Sequence, residues 1–319
     1  MAHRIGFIGA GDVVRKSYLP VLAYRDDCKV IAICSHAGQS ATELADRFQI
    51  QTVCQDYAEL LNHDDVETVF ICTPTYLHRE LAEAAMQRGK NILVEKPPCA
   101  NYQDSHALLA QAGQYPKTFY VAFNNWFREE NEWLRTKVMA GELGGAEIID
   151  FEWYRTKRYE SKAWLYDARR SGGGVLIDLG THLIHLALSL VPHRCGFVAY
   201  CRSVNHSLMP SSVEDTSVAM ITVDHKITLV IKLGWDMILP TPSHVFLQVR
   251  GTKGGISNLD YSGRKTDGYS SMIEDFLGHI EKGTKQDFAL VQDTMLLLDA
   301  LYESGRSGTT VAGKFLHAA

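Results

Sequence analysis

The first third of the chain alternates short apolar runs with segments of helical spacing. Residues 38–48 and 76–89 carry apolar side chains at the i, i+3 and i+4 positions of an amphipathic helix. Asn101 is predicted to cap a further helix that ends near Gly113. The apolar runs are predicted strands at 4–9, 29–34, 67–72, 91–96 and 118–123. Because they are apolar throughout, they suit a parallel sheet covered by helices on both faces, and the pattern predicts a doubly wound α/β domain.

The pattern changes after residue 124. Polar and apolar positions now alternate in several longer runs, which indicates a large, mostly antiparallel sheet with one face partly exposed. These predicted strands lie at 146–158, 196–204, 215–224, 226–236 and 243–251, with a hairpin turn at Asp224-His225 and helices at 129–140, 271–282 and 290–304. The predicted organisation is an α/β domain at 1–123 and an α+β domain at 124–319.

Composition narrows the possible partners. The 319 residues are 46% apolar and the net charge is −5, without a basic block, so we expect a folded protein with no nucleic-acid partner. No apolar run reaches the roughly 20 residues that a membrane-spanning helix needs, and the N-terminal run lacks a signal-peptide layout. The seven cysteines contain no C-x-x-C pair. We therefore expect a cytoplasmic protein with reduced thiols, no disulfide frame and no metal site.

A glycine-rich turn follows the first predicted strand and opens a helix. In this position Gly9 allows a tight turn, and Gly11 allows the backbone to approach a pyrophosphate. Asp12 and Val13 begin the helix, whose N-terminal N–H groups favour a negative charge. The G-x-G-x-x-G pattern is incomplete, because Val14 occupies its last position. The turn predicts dinucleotide binding, and the alternative is a surface turn in an α/β protein of another purpose.

The end of the second predicted strand bears on the choice between NAD and NADP. An acidic residue here would bind the ribose 2′-hydroxyl of NAD, but the chain has Ser35 and His36. A carboxylate would repel a 2′-phosphate, whereas a hydroxyl and an imidazole do not. The sequence therefore slightly favours NADP over NAD. The alternative is that both residues are solvent-facing turn residues.

An acid and an imidazole occur in an apolar helix that follows three glycines. Within the segment 171–187, Asp178 and His182 are four residues apart, which places them on one face of the predicted helix. Their burial costs desolvation free energy unless they are paired or functional. A His–Asp pair suits a general acid/base, and the alternative is a hydrogen-bonded pair in the core. His185, three residues later, has no assigned role.

The segment "NILVEKPPC" at 91–99 places charge where a buried strand ends. In doubly wound sheets, ligands bind at the carboxyl ends of the strands, so Glu95 and Lys96 occupy a predicted site. Pro97 restricts Lys96 to extended backbone geometry, and both isomers of the peptide bond between them stay open. We predict that the chemistry takes place at this strand end.

Together these segments resemble the Gfo/Idh/MocA oxidoreductase family, over essentially the whole chain. The resemblance lies in "GFIGAGDVV" at the start, the block at 69–97, "GELGGAEII" at 141–149, "GGGVLIDLGTHLIHLAL" at 172–188 and "LYESGRSGTTV" at 301–311. It implies an N-terminal Rossmann domain that binds NAD or NADP, and a C-terminal domain with a large open sheet. Relatives are often dimers or tetramers, so we expect a homo-oligomer.

The resemblance also implies roles for single residues. Lys96 matches the catalytic lysine of the E-K-P motif, and Asp178 and His182 match the acid/base pair of inositol-dehydrogenase-like members. Glu95 resembles the residue near the nicotinamide ribose. The loop that covers the cofactor is matched by Thr73, Pro74 and His78. The chain departs from the family pattern at Trp126, where an arginine is frequent, and at His185, where an aspartate is frequent.

The resulting hypothesis is an NAD(P)-dependent dehydrogenase or reductase acting on a CH–OH group of a sugar, polyol or related compound. His182 would take the hydroxyl proton, Asp178 would orient its ring, and Lys96 would stabilise the alkoxide. Candidate substrate contacts are Asn124, Trp126, Tyr154, Trp164 and Tyr166, with Arg155 and Lys157 also in that region. The alternatives are a non-catalytic NAD(P)-sensing regulator, an NAD-dependent glycosidase-type activity, and a plain binding module.

Overall fold

The computed structural model describes residues 2–36, 38–156, 163–206, 211–259 and 267–316. These residues form two compact units that interleave along the chain. The first comprises 2–99, 106–127 and 267–286, and the second comprises the other described residues. This grouping differs from the single boundary predicted after residue 123, because 267–286 belong to the first unit.

The first unit is built on a six-stranded sheet in which every neighbouring pair is parallel. The strand order is β3-β2-β1-β4-β5-β6, the doubly wound order of a Rossmann fold. The strands are β1 (His3–Ile8), β2 (Cys28–Cys34), β3 (Thr52–Cys54), β4 (Thr68–Ile71), β5 (Asn91–Glu95) and β6 (Phe119–Ala122). The predicted α/β class and parallel sheet are confirmed.

Helices or helical turns connect the successive strands of this unit. A π-helical turn at Val14–Tyr18 continues into α1 (Leu19–Leu22), and a short 3₁₀ turn at Thr75–Leu77 precedes α4. The remaining helices are α2 (Gly38–Phe48), α3 (Tyr57–Asn62), α4 (His78–Gln87) and α5 (Tyr102–Gln114). The predicted cap of α5 is confirmed, because Asn101 Oδ1 accepts the Asp104 N–H at 2.8 Å.

The second unit is built on a seven-stranded mixed sheet, with strand order β12-β11-β7-β10-β9-β8-β13. Its pairs are antiparallel except β7 with β10, which are parallel. The strands are β7 (Ala146–Arg155), β8 (Gly196–Val204), β9 (Thr216–Val223), β10 (Ile227–Gly234), β11 (Ser243–Gly251), β12 (Gly254–Ser257) and β13 (Val311–Lys314). The predicted open, mostly antiparallel sheet is confirmed.

Alternating burial places the core of the second unit on one face of this sheet. Leu229, Ile231 and Leu233 on β10 are buried against helices, while the residues between them are half-buried on the other face. The helices of the chain's second part are α6 (Glu129–Met139), α7 (Ala168–Ser171), α8 (Thr181–Ser189), α9 (Asp267–Lys282) and α10 (Ala289–Ser307), with 3₁₀ turns at Asn124–Phe127 and Ala163–Tyr166. A π-helical turn at Leu176–Gly180 runs directly into α8.

Helix α9 packs in the first unit because its aromatic side chain completes that core. Phe276 is fully buried, and its ring lies 5.7 Å from the ring of Phe70 on β4. The Tyr120 hydroxyl of β6 donates to Asp275 of the same helix at 2.7 Å. The helix was predicted at 271–282, but no local sequence pattern predicts that it belongs to the first unit.

Candidate active site

The two glycines of the turn after β1 differ in the space available for a side chain. Gly9 has φ +110°, and a Cβ there would lie 2.3 Å from the carbonyl oxygen of Cys72, so only glycine fits. A Cβ on Gly11 would meet nothing within 4 Å. The helix over 12–22 begins at this point, and no side chain caps its π-helical turn within the described residues. Gly9 therefore serves the turn, and Gly11 leaves the helix start open to a ligand.

The loops after β4 and β5 are tied together by His78. Its ring is buried, with Nδ1 2.9 Å from the Pro97 carbonyl oxygen and Nε2 2.9 Å from the Thr73 carbonyl oxygen. Burial lowers the pKa of His78, and the contacts of its two ring nitrogens with the Pro97 and Thr73 carbonyls oppose that shift. The Lys96–Pro97 peptide bond in one of these loops is cis.

The Thr73 hydroxyl belongs to the same strand end. Its oxygen is buried and has no hydrogen-bond partner among the described residues. The backbone nitrogen of Thr73 would lie 3.2 Å from a Cβ on Gly9, so the loop adjoins the glycine turn. Pro74 follows and precedes the 3₁₀ turn that leads into α4. A buried hydroxyl beside a phosphate-type turn suits contact with a polar ligand.

Glu95 ends β5, and its carboxylate is held by two groups. Oε1 accepts the Tyr18 hydroxyl at 2.8 Å, and Oε2 accepts the Lys96 N–H at 3.2 Å. Lys96 and Glu95 are both half-buried. A hydrogen bond from the helix that follows the glycine turn therefore holds the strand end at which the chemistry was predicted.

The other predicted residues of the first unit lie at strand ends or just beyond them. Ser35 follows β2 directly and is half-buried, and His36 is exposed. Asn124 and Trp126 lie in the 3₁₀ turn that follows β6, and both are half-buried. All four therefore lie at the carboxyl edge of the parallel sheet, the edge at which ligands bind in this architecture.

The second unit carries the predicted acid and imidazole on one continuous helix over 175–189. Asp178 lies in its π-helical turn and is half-buried. His182 is 8% exposed, and its ring lies 5.8 Å from the Trp153 ring of β7. Single π-helical turns occur frequently at functional sites, and this chain has one here and one after the glycine turn.

Trp153 is a neighbour of His182 that the sequence analysis missed, because it singled out Tyr154. Successive residues of a strand point to opposite faces, so Tyr154 lies on the face away from His182, where its ring stacks on His244 at 6.2 Å. The buried positions Ile149 and Phe151 on β7 would have identified Trp153 as the next residue on the core face. The structure therefore does not bring Tyr154 to His182.

Trp164 and Tyr166 lie in the 3₁₀ turn Ala163–Tyr166 of the second unit. The Tyr166 ring is 6.1 Å from the Trp235 ring, and its carbonyl accepts the Ser212 N–H. Lys157 lies outside the described residues. Arg155, at the end of β7, places its guanidinium 4.8 Å from the centre of the Trp153 ring.

Glu214 and Tyr302 are two further residues that sequence reasoning missed. Glu214 Oε1 accepts the Gly174 N–H at 2.9 Å, the Leu176 N–H at 3.0 Å and the Tyr302 hydroxyl at 2.9 Å. Burial raises the pKa of Glu214, and these hydrogen bonds oppose the effect. The partners are 38 to 88 residues apart in sequence, so no local pattern predicts them.

His185 is buried on the same helix and lies near two cations. Burial, with the charges of Arg135 and Arg194, lowers its pKa to about 3. Arg194 itself forms a buried ion pair with Asp293, at 2.5 Å between Nη2 and Oδ2. His185 is therefore a neutral residue of the core near pH 7.

The described residues of the first unit carry features that suit a dinucleotide. The open position at Gly11, the helix that begins beside it and the buried Thr73 hydroxyl are suited to a phosphate and a ribose. Among the residues that the structure describes, no group of three His, Cys, Asp or Glu side chains is arranged to bind a metal ion. Within the same residues, no helix is both long and apolar enough to cross a membrane.

Comparison with known proteins agrees with this geometry. A model of an oxidoreductase family with an NAD-binding Rossmann fold matches residues 3–123, and a model of the GFO/IDH/MocA C-terminal domain matches residues 132–257. The two matches cover the six-stranded sheet and most of the seven-stranded sheet. The matched ranges include the glycine turn, the β5 loop and the helix that carries Asp178.

Individual relatives are distant. The chain is 27% identical over 252 residues to the uncharacterized oxidoreductase YrbE of Bacillus subtilis (strain 168), which covers 78% of this chain and 71% of that protein. It is 27% identical over 202 residues to D-glucoside 3-dehydrogenase of Escherichia coli (strain K12), covering 63% of this chain and just over half, 56%, of that enzyme. Levoglucosan dehydrogenase with NADH and L-sorbose shares the fold, with a TM-score of 0.86 at 18% identity over 98% of both chains.

Proposed function

Because the chain belongs to the Gfo/Idh/MocA family of NAD-binding oxidoreductases, we propose that it transfers a hydride between a nicotinamide dinucleotide and a secondary alcohol or ketone. The proposed substrate is a sugar, a polyol or a related compound. The names of D-glucoside 3-dehydrogenase and levoglucosan dehydrogenase support this substrate class. The substrate itself and the direction of the reaction are left open.

The cofactor would be held by the first unit. The turn and helix start at Gly9, Gly11, Asp12 and Val13 would bind the pyrophosphate, and the β4 and β5 loops at Thr73, Pro74, Glu95 and Lys96 would hold the nicotinamide half. His78 would support these loops from beneath, because its ring nitrogens already face two backbone carbonyls. When bound, the nicotinamide supplies the hydride donor or acceptor. Ser35 and His36 would face the adenosine ribose and favour NADP slightly over NAD.

The proton chemistry would fall to three side chains. In the oxidation direction, His182 accepts the hydroxyl proton, and Asp178 orients the imidazole and stabilises the imidazolium that forms. Lys96 stabilises the negative charge that develops on the substrate oxygen. The burial of His182 beside Trp153 supports this role, since a ring shielded from water keeps one orientation. Asn124, Trp126, Trp164 and Tyr166 are the proposed substrate contacts.

One observation carries the proposal: a buried imidazole and a carboxylate lie four residues apart on one helix, in a chain that also has an open dinucleotide turn. A buried imidazole and a half-buried carboxylate cost desolvation free energy unless they are paired or used. If Asp178 and His182 were only a structural pair, the open position at Gly11 would have no role. If the protein only sensed a cofactor, the pair would have no role.

Two variants test the proposal. We expect His182→Ala to bind NADH or NADPH as the wild type does and Lys96→Ala to bind it more weakly, while kcat at saturating cofactor falls in both by about 10² or more on a panel of sugars and polyols followed at the nicotinamide absorbance. Lys117→Ala and His193→Ala change exposed residues of the same types and serve as controls. Near-normal rates in both active-site variants would overturn the assignment. Substrate cleavage without net turnover of NAD(P) would instead support the glycosidase-type alternative.

We further propose that a second copy of the chain covers the open face of the second sheet, which lies opposite its core. Ile148, Tyr200, Val218 and Met220 are 39% to 54% exposed there, and Tyr200 pairs directly with Met220 across β8 and β9. We expect the wild type to sediment as a dimer or tetramer, and Met220→Glu to shift it towards the monomer. A monomeric wild type at micromolar concentration would contradict this.

A further inference from the structure

The start of the helix that carries Asp178 and His182 poses a hydrogen-bonding problem. The first four N–H groups of a helix have no acceptor within the helix, and burial without one is costly. This helix begins at 175, and the residues around its start are buried. The N–H groups in question are those of residues 174–177, because the Asp178 N–H already bonds the Gly174 carbonyl at 3.0 Å.

Two residues from distant parts of the chain supply acceptors for all four N–H groups. Glu214 takes three consecutive N–H groups: its Oε1 accepts from Gly174 and Leu176, and its backbone carbonyl accepts from Val175 at 2.9 Å. The Tyr302 hydroxyl accepts the fourth, from Ile177, at 3.1 Å. The same hydroxyl donates to Glu214 Oε1, so the two residues form one connected unit.

The glycine run before the helix is shaped by these two residues. A Cβ on Gly173 would lie 1.9 Å from the Tyr302 hydroxyl, and a Cβ on Gly174 would lie 1.8 Å from the Glu214 carbonyl oxygen. Any other residue at either position would push the pair away from the helix. The glycines therefore allow Glu214 and Tyr302 to approach the backbone, and they do not form an open phosphate turn like the one at Gly11.

The charge of Glu214 also occupies this helix start. A carboxylate there interacts favourably with the positive end of the helix dipole. Three donors on the single oxygen Oε1 call for an anionic acceptor. A second anion, such as a phosphate, would meet this carboxylate and find no free N–H group. The helix start is thus reserved for an internal contact.

We propose that Glu214 and Tyr302 are positioning residues, which fix the start of the helix and thereby the orientation of Asp178 and His182. The inference rests on the proposed function of that pair. Neither residue touches the reacting atoms in this proposal. Their effect reaches the chemistry because Asp178 lies in the π-helical turn Leu176–Gly180, whose first two N–H groups are anchored in this way, and His182 lies one turn later.

The test combines local hydrogen exchange with kinetics. In Glu214→Ala we expect the amides of 174–177 to exchange at least about tenfold faster, since the lost Oε1 is the acceptor of two of them and also holds the Tyr302 hydroxyl that accepts a third. We expect kcat, normalised to the amount of NADH or NADPH bound, to fall at least about tenfold, while the KM of the cofactor stays within about twofold. The split arises because the proposed cofactor contacts lie in the first unit.

Two conservative variants keep the test decisive if Glu214→Ala does not fold. Glu214→Gln retains an acceptor oxygen and should give intermediate exchange and an intermediate kcat. Tyr302→Phe should speed exchange chiefly at Ile177. Glu303→Ala, an exposed neighbour on α10, should match the wild type in every measurement.

The outcomes separate this inference from the proposed function. If His182→Ala loses activity while all Glu214 and Tyr302 variants keep the wild-type kcat per bound cofactor, the positioning role is wrong and the proposed function stands. Unchanged exchange at 174–177 in Glu214→Ala would also overturn it. If the wild type transfers no hydride and His182→Ala changes nothing, the proposed function fails, and the positioning role fails with it.

Discussion

The hydroxyl of Tyr18 donates a 2.8 Å hydrogen bond to Oε1 of Glu95, and so joins the helix after the glycine turn to the strand that leads into Lys96. Tyr18 is fully buried, with its ring 5.4 Å from the Phe70 ring. Burial, and then the charge of Glu95, raises the pKa of Tyr18 well above its ordinary value. The phenol therefore keeps its proton at and above its ordinary pKa and remains the donor to Glu95.

Removal of this hydroxyl should weaken both stability and cofactor binding. Tyr18→Phe leaves a partly buried carboxylate oxygen short of one donor, so we expect the free energy of unfolding to fall by about 1–2 kcal/mol. The affinity for NADH or NADPH should fall with it, because Glu95 and Lys96 lose their support. Urea denaturation and fluorescence titration measure the two effects. Tyr24→Phe, at a position that is 92% exposed, is the control, and equal stability of both variants would contradict the prediction.

The two glycines of the turn should separate folding from binding. Gly11→Ala adds a Cβ into open space, so we expect unchanged stability and at least about tenfold weaker binding of the dinucleotide, whose pyrophosphate needs that space. Gly9→Ala places a Cβ 2.3 Å from the Cys72 carbonyl oxygen at φ +110°, so we expect it to destabilise the first unit itself. Thermal melting and NADH titration distinguish the two. Undiminished binding in Gly11→Ala would remove the pyrophosphate from this turn.

The elements were predictable where local physics decides them. The helix at 38–48 and the strands at 196–204 and 243–251 match the structure residue for residue, because their apolar spacing is unambiguous. The hairpin at Asp224-His225 is confirmed, with φ of +50° and +56° at the two residues. The short strands β3, β12 and β13 were missed, since three or four residues carry too little pattern.

The site was predictable only where a motif is contiguous. The glycine turn, the β5 loop and the Asp178 helix each lie within a few residues of sequence, and each was identified. The contacts that hold them are not contiguous: Tyr18 meets Glu95 across 77 residues, and Glu214 meets Tyr302 across 88. Tertiary packing alone creates such pairs, so propensity and spacing have no access to them.

Cofactor choice should depend on charge at the end of β2. Ser35→Asp places a carboxylate where a 2′-phosphate would lie, so we expect at least about tenfold weaker binding of NADPH and little loss for NADH. Ser35→Asn introduces a side chain of nearly the same size as aspartate but without its charge, and it is the matched control. Fluorescence titration of both nucleotides against all three proteins gives the answer. Equal losses for NADH and NADPH in Ser35→Asp would show that Ser35 does not face the ribose.

The buried His185 should make the fold sensitive to acid. Its pKa is lowered to about 3 in the folded protein by burial and by the charges of Arg135 and Arg194, whereas in the unfolded chain it keeps the ordinary value of about 6.5. Between these values the unfolded state binds one more proton than the folded state. The neutral His185 therefore lowers the free energy of unfolding by nothing above pH 6.5, and the free energy of unfolding falls as the pH drops below that value. The loss is on the order of 1.4 kcal/mol for each pH unit below 6.5.

His185→Gln removes this titration and leaves the similarly buried His78 in place, so the difference between the two proteins isolates one residue. We expect the free energy of unfolding of the wild type to fall more steeply between pH 6.5 and pH 4.5 than that of the variant, measured by urea denaturation at half-unit steps. His193→Gln, at an exposed position, should follow the wild-type curve. Parallel curves for the wild type and His185→Gln would show that His185 does not change its protonation on unfolding, and the neutral core assignment would then be wrong.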